Sequence, residues 1–315
     1  MPKKAIKRGK ARAARARKSK AKPKRVTAAD VVRDAARRLK AAHLEFAHGT
    51  TDPVAEAAFI VSETLGFHPD QFDEFLASRV TAPQAARISD LIGARIETRK
   101  PAAYLLNKIY MHGVPFYVDE RAIVPRSYLG EILDMHFSDE AMLLDPEHVT
   151  RVLDLCTGSG CLAVLATRTF PHAHIDAVDL SGDALAVARR NVEDHGLSRR
   201  ITLHQGDLFA PLGEADYDLI ISNPPYVDAE GMASLPPECR YEPQVAFDGG
   251  ADGIAIVRRI IDAAPRRLKP TGGLLCEVGR CRPALEAAYP RTSFLWLDTE
   301  ESEGEVFWLA ADAWR

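Results

Sequence analysis

From residue 150 onwards the sequence predicts an α/β fold built on a seven-stranded, mainly parallel sheet with helices on both faces. Short apolar runs alternate there with segments of helical periodicity, which is the pattern of a parallel sheet. No helix-length segment separates the last two runs, so we expect those strands to pair as an antiparallel hairpin at one edge. Strands are expected at 151–155, 174–180, 201–207, 217–222, 273–278, 294–298 and 306–309, and helices near 161–170, 183–195, 254–268 and 282–289.

Ahead of the sheet, residues 27–103 predict a small helical bundle. Thr27, Asp52 and Thr81 are residue types that cap helix N-termini, and each precedes apolar residues at helical spacing. Pro53, directly after Asp52, suits the first turn of the second helix because that turn has N–H groups without intrahelical partners. The sequence therefore predicts three helices in this segment.

Residues 104–126 change to the shorter period of strands. We expect two short strands, at 110–118 and 122–125, on either side of a turn at 119–121. This β-hairpin connector would join the bundle to the sheet.

Charge is unevenly distributed along the chain. The formal net charge is −3, but residues 3–25 hold 13 Lys and Arg and no acidic residue, which leaves a net charge of −16 on the rest. Residues 1–26 are therefore expected to form a disordered basic tail. Such a tail can bind RNA phosphates, including those of rRNA, serve as a transit peptide, or simply be solvated. The acidic remainder suits a basic protein substrate better than duplex nucleic acid.

Composition also excludes several classes of protein. No apolar run approaches the roughly 18 residues that cross a bilayer, and the N-terminus lacks the apolar core of a signal peptide. The five cysteines form no Cys-x-x-Cys pair, so we expect reduced thiols and a cytoplasmic protein. No metal site is expected, because no Cys or His pair with close ligand spacing stands near a second such pair. A monomer is the default expectation.

Residues 152–161, Val-Leu-Asp-Leu-Cys-Thr-Gly-Ser-Gly-Cys, join a predicted strand to a predicted helix through a glycine turn. Gly158 and Gly160 let backbone N–H groups approach a ligand, and the helix start adds positive potential. A dinucleotide site favours Gly-x-Gly-x-x-Gly, which is absent here. With Asp154 in the strand, the loop better fits a ligand carrying a carboxylate and an ammonium group; a turn needed only for packing is the alternative.

Acidic residues also close the next two predicted strands. Asp179 is placed to accept hydrogen bonds from both hydroxyls of a ribose, and Asp207 from an exocyclic adenine amine, with Leu208 against the ring. Because the carboxyl ends of parallel strands meet at one edge of a sheet, we expect these acids to lie together with Asp154. The combination describes a nucleoside with an amino-acid tail, which is S-adenosylmethionine.

The fourth predicted strand ends in Asn223-Pro224-Pro225-Tyr226. The asparagine brings a side-chain carbonyl, the two prolines stiffen the turn and remove two N–H donors, and the tyrosine brings a flat aromatic face. A planar NH2 group fits such a site, since it needs two acceptors and a flat cover. A proline-rich turn without function is the alternative.

These motifs resemble those of the HemK-like protein-glutamine N5-methyltransferases, which have a Rossmann-like class I S-adenosylmethionine-dependent methyltransferase fold. The resemblance rests on the glycine loop at 152–161, on Ser-Asn-Pro-Pro-Tyr-Val at 222–227 and on Tyr-Glu-Pro-Gln-Val-Ala-Phe-Asp-Gly-Gly-Ala-Asp-Gly at 241–253. Residues 112–127 are similar to the PrmB-type branch, which methylates a glutamine of large-subunit ribosomal protein three. The release-factor branch typically has Pro-Arg-Pro-Asp-Thr-Glu where this chain reads Pro-Arg-Ser-Tyr-Leu-Gly-Glu at 125–131.

The resemblance implies a cofactor domain at 127–315 and a substrate-recognition role for the bundle at 27–103. It implies that the substrate amide is bound by Asn223, Pro224, Pro225 and Tyr226, of which Asn223, Pro224 and Tyr226 are catalytic. The connector would border the site through Phe116, Arg126 and Glu131, unless these only pack or pair. The residues expected to bind S-adenosylmethionine are Asp154, Cys156, Thr157, Gly158, Ser159, Gly160, Asp179, Asp207, Leu208 and Asn223.

Three other functions stay open on the sequence alone. Peptide chain release factors are the alternative source of the glutamine. N6-adenine methyltransferases of DNA or RNA share the Asn-Pro-Pro-aromatic pattern, but we expect those enzymes to have a basic face near the site. A binding protein with an inactive methyltransferase fold is disfavoured, because the loop, the acids and the tetrapeptide are all present.

Overall fold

The computed structural model describes residues 26–135, 137, 143–300 and 302–314. The basic tail expected at 1–26 therefore lies outside the described residues, apart from Val26. None of the helices within these ranges has the length and apolar content needed to cross a membrane.

The N-terminal bundle contains the three predicted helices, which are confirmed. Thr27 and Asp52 cap their helices as expected: the Thr27 hydroxyl accepts from the Asp30 N–H at 3.3 Å, and the Asp52 carboxylate accepts from the Val54 and Ala55 N–H groups of the first turn. Two short helices at 72–77 and 102–106 were not predicted. The bundle helices are α1 (Ala28–Ala41), α2 (Pro53–Leu65), α3 (Phe72–Ala77), α4 (Ala82–Thr98) and α5 (Ala102–Leu106).

The bundle has its own apolar core, separate from the cores of the sheet. This core contains one fully buried aliphatic side chain from each long helix: Leu39 of α1, Ile60 of α2 and Ile92 of α4. Burying these side chains stabilises the packing of the three long helices, at roughly 2 kcal/mol for each large aliphatic group. The helical spacing seen in the sequence is thus the spacing of the buried face.

The connector hairpin lies elsewhere than predicted. Its strands are β1 (Ile109–Met111) and β2 (Val114–Phe116), joined by a two-residue turn in which His112 and Gly113 have φ values of 49° and 72°. Two successive left-handed residues make the tight turn that matches strand twist. The strand expected at 122–125 is wrong, because the Val124 N–H donates to the Glu242 side chain rather than to a neighbouring strand.

The predicted seven-stranded sheet is confirmed, with strand order β5-β4-β3-β6-β7-β9-β8. The pairs among β3 to β7 are parallel, while β9 pairs antiparallel with both β7 and β8, so the expected hairpin forms one edge. The strands are β3 (Arg151–Leu155), β4 (His174–Asp179), β5 (Ile201–Gln205), β6 (Tyr217–Ser222), β7 (Leu268–Glu277), β8 (Leu295–Leu297) and β9 (Val306–Ala310).

Helices cover both faces of the sheet, over two separate apolar cores. The helices of this region are α6 (Leu129–Met135), α7 (Cys161–Thr169), α8 (Gly182–Asp194), α9 (Ala229–Ala233), α10 (Ala255–Ala263) and α11 (Arg282–Ala288). Strand order reverses between β3 and β6, because the chain proceeds outwards from β3 to β5 and then returns to the other side. Ligands of such sheets bind at the carboxyl ends of the strands at this point.

The helix predicted at 254–268 is wrong at its C-terminal end. Helix α10 stops at Ala263, a short 3-10 turn follows, and Leu268 already begins β7 and pairs with Tyr217. Pro265 explains the early end, since it has no N–H to donate and restricts the residue before it. Strand β7 consequently starts five residues before the predicted position.

Candidate active site

A cavity of about 690 Å³ opens at the carboxyl ends of the parallel strands. Its wall also includes Ala47 and His48 from the bundle region and Arg126 from the connector. Two predicted site residues, Asp154 and Gly160, lie beside the cavity rather than on its wall. The predicted residues that line it are Cys156, Thr157, Gly158, Ser159, Asp179, Asp207, Leu208, Asn223, Pro224, Pro225 and Tyr226.

The glycine loop between β3 and α7 is held open by its backbone conformation. Gly158 has φ +56° with open space where a side chain would be, and Gly160 has φ +80°. A Cβ atom at Gly160 would lie 3.1 Å from the Cβ of Ala188, so this glycine allows α7 and α8 to pack closely. The first glycine thus leaves room for a ligand, and the second serves packing.

Asp154 stabilises the glycine loop through a hydrogen bond with Thr157. It is fully buried, and the Thr157 hydroxyl donates to its Oδ2 atom at 2.5 Å. Burial raises the pKa of Asp154 to about 7, against the lowering effect of the bond from Thr157. The geometry gives Asp154 the role of fixing Thr157, and its contact with a cofactor stays a prediction.

The acids at the ends of β4 and β5 have different surroundings. Asp179 accepts from the Gly158 N–H and from the Ser181 N–H, both at 2.8 Å, and burial raises its pKa. Asp207 forms an ion pair at 2.8 Å with Arg259, and both side chains are about half exposed. Asp179 therefore joins the glycine loop to β4, whereas Asp207 lies at the cavity rim.

Asn223 follows directly after β6, and its side chain has no hydrogen-bond partner among the described residues although it lines the cavity. Ser222 before it donates to the Leu155 carbonyl at 2.9 Å, which fixes the end of β6 to the end of β3. Pro224 is buried. An unpartnered amide beside a proline turn presents free acceptors to the cavity.

Tyr226 is held in place on the cavity wall. Its hydroxyl donates to Glu277 Oε1 at 2.7 Å, and its ring passes so close to Gly279 that a Cβ there would lie 2.6 Å from it. Burial and the neighbouring charge of Glu277 raise the pKa of Tyr226 well above its usual value. The tyrosine is therefore a neutral hydrogen-bond donor with a fixed ring.

Glu277 is a buried residue that our sequence reasoning missed. It ends β7, and it also accepts from the Ser127 hydroxyl at 2.6 Å and from the Tyr128 N–H at 3.1 Å. Burial raises its pKa to about 7. A signal was present, because an acid closes the apolar run at 273–278 just as Asp179 closes its own strand.

A second residue that sequence reasoning missed, Glu242, contacts three residues of the cavity wall without lining the cavity itself. Glu242 accepts from both Arg126 guanidinium nitrogens, at 2.8 and 2.9 Å, from the Val124 N–H at 2.9 Å, and pairs with His48 at 3.1 Å. Burial acts to raise the pKa of Glu242, but the bonds from His48 and Arg126 outweigh it and hold the pKa at about 2. Glu242 thus fixes the loop after the tetrapeptide to the connector.

The same loop is bound to the helical bundle through buried charges. Glu238 is fully buried and accepts from Arg99 at 2.7 Å, while the neighbouring Arg95, also fully buried, donates to Glu56 at 2.8 Å. Of the three connector residues considered, Arg126 lines the cavity, whereas Phe116 and Glu131 do not. Bundle, connector and loop therefore meet at one wall of the cavity.

One group of the described residues has spacing suited to a metal ion, namely His48, Cys239 and Glu242. Both oxygens of Glu242 already accept from Arg126, whose positive charge opposes a second cation at the same place. We therefore assign no metal to this group.

Comparison with solved structures gives a distant likeness only. A methyltransferase from Pyrococcus furiosus covers 69% of this chain and 98% of its own, at 17% identity and a TM-score of 0.46. The model of the methyltransferase small domain family matches residues 140–235, which include β3 to β6, the tetrapeptide and α9. With the strand order above, this match confirms the Rossmann-like methyltransferase fold.

Curated relatives extend the match to nearly the whole chain. A ribosomal protein uL3 glutamine methyltransferase from Bradyrhizobium diazoefficiens is 64% identical over 290 residues, covering 91% of each chain. Proteins of the same name from Bordetella pertussis and Burkholderia pseudomallei are 46% and 47% identical, covering 91% and 90% of this chain and 95% and 94% of their own. This chain belongs to the family of ribosomal protein uL3 glutamine methyltransferases.

Proposed function

We propose that this protein transfers a methyl group from S-adenosylmethionine to the side-chain amide nitrogen (N5) of a glutamine in the large-subunit ribosomal protein uL3. The observation that carries the proposal is the unpartnered Asn223 amide, which shares one cavity with the glycine loop. The names of the relatives support the choice of uL3 over release factors.

The residues on the cavity wall fit the cofactor. Gly158 leaves open space beside the helix start, where a carboxylate is favoured. Asp179, whose two oxygens each have one backbone donor, retains lone pairs for ribose hydroxyls. Leu208 offers an apolar contact for the adenine ring and Asp207 an acceptor for its amine. When bound, S-adenosylmethionine supplies a methyl group attached to a positively charged sulfur.

We infer that Asn223 and Pro224 prepare the glutamine. An amide nitrogen is a poor nucleophile because its lone pair is delocalised into the carbonyl. The Asn223 side-chain oxygen and the Pro224 backbone carbonyl would accept the two amide hydrogens, which orients the nitrogen and raises its electron density. Pro225 stiffens the turn. As the N–C bond would form, the bond between the methyl group and sulfur would break and one amide proton would become acidic, so that it can pass to solvent without a strong general base.

The ring of Tyr226 would cover the plane of the amide. Its hydroxyl is engaged by Glu277 and so does not compete for the substrate. Covering the amide excludes water, which strengthens the hydrogen bonds to Asn223.

The substrate class follows from charge. Residues 26–315 are acidic overall, which favours a basic protein, and the bundle at 27–103 contributes His48 and Ala47 to the cavity wall. We propose that the bundle recognises this protein, that the tail at 3–25 binds rRNA phosphates, and that the enzyme acts as a cytoplasmic monomer. Removing residues 1–25 should then reduce the salt dependence of binding to ribosomal particles without changing methylation of the isolated protein.

The test is a labelled-methyl assay with three acceptors: uL3, a release factor and adenine oligonucleotides. We expect transfer to uL3 alone, and we expect Asn223→Ala to abolish it while cofactor binding is nearly unchanged. Asn107→Gly is a matched control, since Asn107 is exposed, lies outside the cavity wall and has a left-handed backbone that glycine adopts readily. Transfer to oligonucleotides, or normal turnover by the Asn223 variant, would contradict the proposal.

A further inference from the structure

We propose that Glu277 is a positioning residue for methyl transfer, which acts by holding the Tyr226 ring over the amide site through the tyrosine hydroxyl. The inference rests on the proposed function, because it concerns the same site. Glu277 itself does not line the cavity, so it would act only through Tyr226.

The geometry makes Glu277 a junction of three segments. Its Oε1 atom accepts from the Tyr226 hydroxyl at 2.7 Å, and its Oε2 atom accepts from the Ser127 hydroxyl at 2.6 Å and the Tyr128 N–H at 3.1 Å. The side chain is 1% exposed, so water cannot replace these donors. One carboxylate thereby links the end of β7, the two residues directly after the connector and the tetrapeptide.

The hydrogen bond from the Tyr226 hydroxyl to Glu277 holds the tyrosine ring in place. Among the described residues, Glu277 is the only hydrogen-bond partner of the Tyr226 hydroxyl. The backbone of Tyr226 is held separately, since its carbonyl accepts from the Cys281 thiol at 3.2 Å. Removing the carboxylate would therefore release the ring while leaving the backbone of the tetrapeptide in place, which affects turnover more than folding.

The ionised carboxylate suits this role better than the neutral acid. Three donors face its two oxygens, and a protonated oxygen would itself have to donate, so the Tyr226 or the Ser127 hydroxyl would have to turn and accept instead. Burial and the negative charge of Glu305 raise the pKa of Glu277 to about 7, and the positive charge of Arg126 faces Tyr226. We expect the Tyr226 ring to become less fixed as pH falls below about 7.

A double-mutant cycle distinguishes a Glu277 that positions the Tyr226 ring from a Glu277 that only stabilises the fold. We expect Glu277→Gln and Tyr226→Phe each to lower kcat about tenfold, as for one hydrogen bond lost in the transition state, with cofactor Kd within about twofold. The double variant should be no slower than the slower single variant. Ser127→Ala removes one of the three donors to Glu277 and should lower kcat less than Glu277→Gln does. It replaces Glu277→Gln in the experiment if that variant folds poorly.

Asp218→Asn is the matched control. Asp218 is a carboxylate at the other end of the same sheet, where it accepts from the Thr150 and Arg151 N–H groups and from Lys269. Its replacement should lower the melting temperature but leave kcat unchanged. If the losses in kcat from Glu277→Gln and Tyr226→Phe multiplied in the double variant, Glu277 would be a structural residue and the inference would be overturned.

A spectroscopic measurement tests the same contact without turnover. In protein labelled with ¹³C-tyrosine, the Tyr226 ring signal should titrate near pH 7 in the wild type and not in Glu277→Gln. Because burial also raises the pKa of Asp154 to about 7, the pH profile of activity alone would mix two groups. If the wild-type protein methylated no glutamine, the proposed function would be refuted. Identical Tyr226 titrations in the wild type and in Glu277→Gln would refute this inference alone.

Discussion

Replacing Glu242 by glutamine should destabilise the fold by about 3 kcal/mol. The change keeps the shape of the side chain but removes the charge that faces Arg126, which is 30% exposed while Glu242 is fully buried. A folded-state pKa of about 2 instead of 4.5 corresponds to about 3 kcal/mol at 1.36 kcal/mol for each pKa unit. That magnitude agrees with the roughly 3–5 kcal/mol lost when one partner of a buried ion pair is removed.

The sign of the pH dependence follows from the lowered pKa. The ionised Glu242 stabilises the folded state fully above about pH 4.5, and this stabilisation is lost as pH falls towards about 2. Urea unfolding of the wild type and of Glu242→Gln at several pH values between 7 and 2 measures it. The two free energies should differ most at neutral pH and converge in acid.

Glu230→Gln provides the control for Glu242→Gln, because Glu230 is an exposed carboxylate in α9. It should change the free energy of unfolding by no more than about 0.5 kcal/mol. Equal free energies for the wild type and Glu242→Gln across the whole pH range would refute the reasoning, since the carboxylate would then contribute nothing to stability.

Two further predictions concern the cofactor site and the bundle. Asp179→Ala should weaken S-adenosylmethionine binding at least about tenfold, because it removes the acceptor proposed for the ribose and releases the Gly158 N–H; calorimetry giving an unchanged Kd would contradict that role. Arg95→Met should lower the free energy of unfolding by roughly 3 kcal/mol or more, since it leaves Glu56 buried without its partner. Arg33→Met, at an exposed pair, should cost less than about 1 kcal/mol, and equal losses for both arginines in chemical denaturation would rule out the buried-pair account.

The sequence predicted best what is encoded locally. Capping by Thr27 and Asp52 and the strand-ending acid Asp179 depend on neighbours only a few residues away, and each has the expected position. The last two strands pair as expected because too few residues lie between them for a crossover.

Errors arose where a local signal competed with another or where the partner was distant. The hairpin turn is at His112 and Gly113, inside the segment expected as the first strand. In the segment expected as the second strand, the Val124 N–H donates a hydrogen bond to Glu242, which is 118 residues away. Spacing along the chain cannot indicate such a partner. Pro265 was visible in the sequence, and the predicted helix should have been ended before it, as α10 is.

Candidate residues for the amide site could be chosen from the sequence, whereas the residues that support them could not. Asn223 and Tyr226 were proposed from residue type, since a planar amide needs acceptors and a flat cover, and both line the cavity. Glu277 and Ser127 were not proposed, because Glu277 joins Ser127 to Tyr226 only when β7, the end of the connector and the tetrapeptide come together. Ser127 lies directly after the connector, where the chain departs from the release-factor pattern, so its bond to Glu277 gives that difference a physical consequence.

The central claim is that Asn223 presents a glutamine amide for methylation. The most direct measurement is the transfer of labelled methyl from S-adenosylmethionine to uL3, with the modified residue located by mass spectrometry. We expect one methyl group on a glutamine side chain with the wild-type enzyme and none with Asn223→Ala, although both bind the cofactor with similar Kd. Methylation of another residue type, or equal glutamine methylation by the two proteins, would contradict the account.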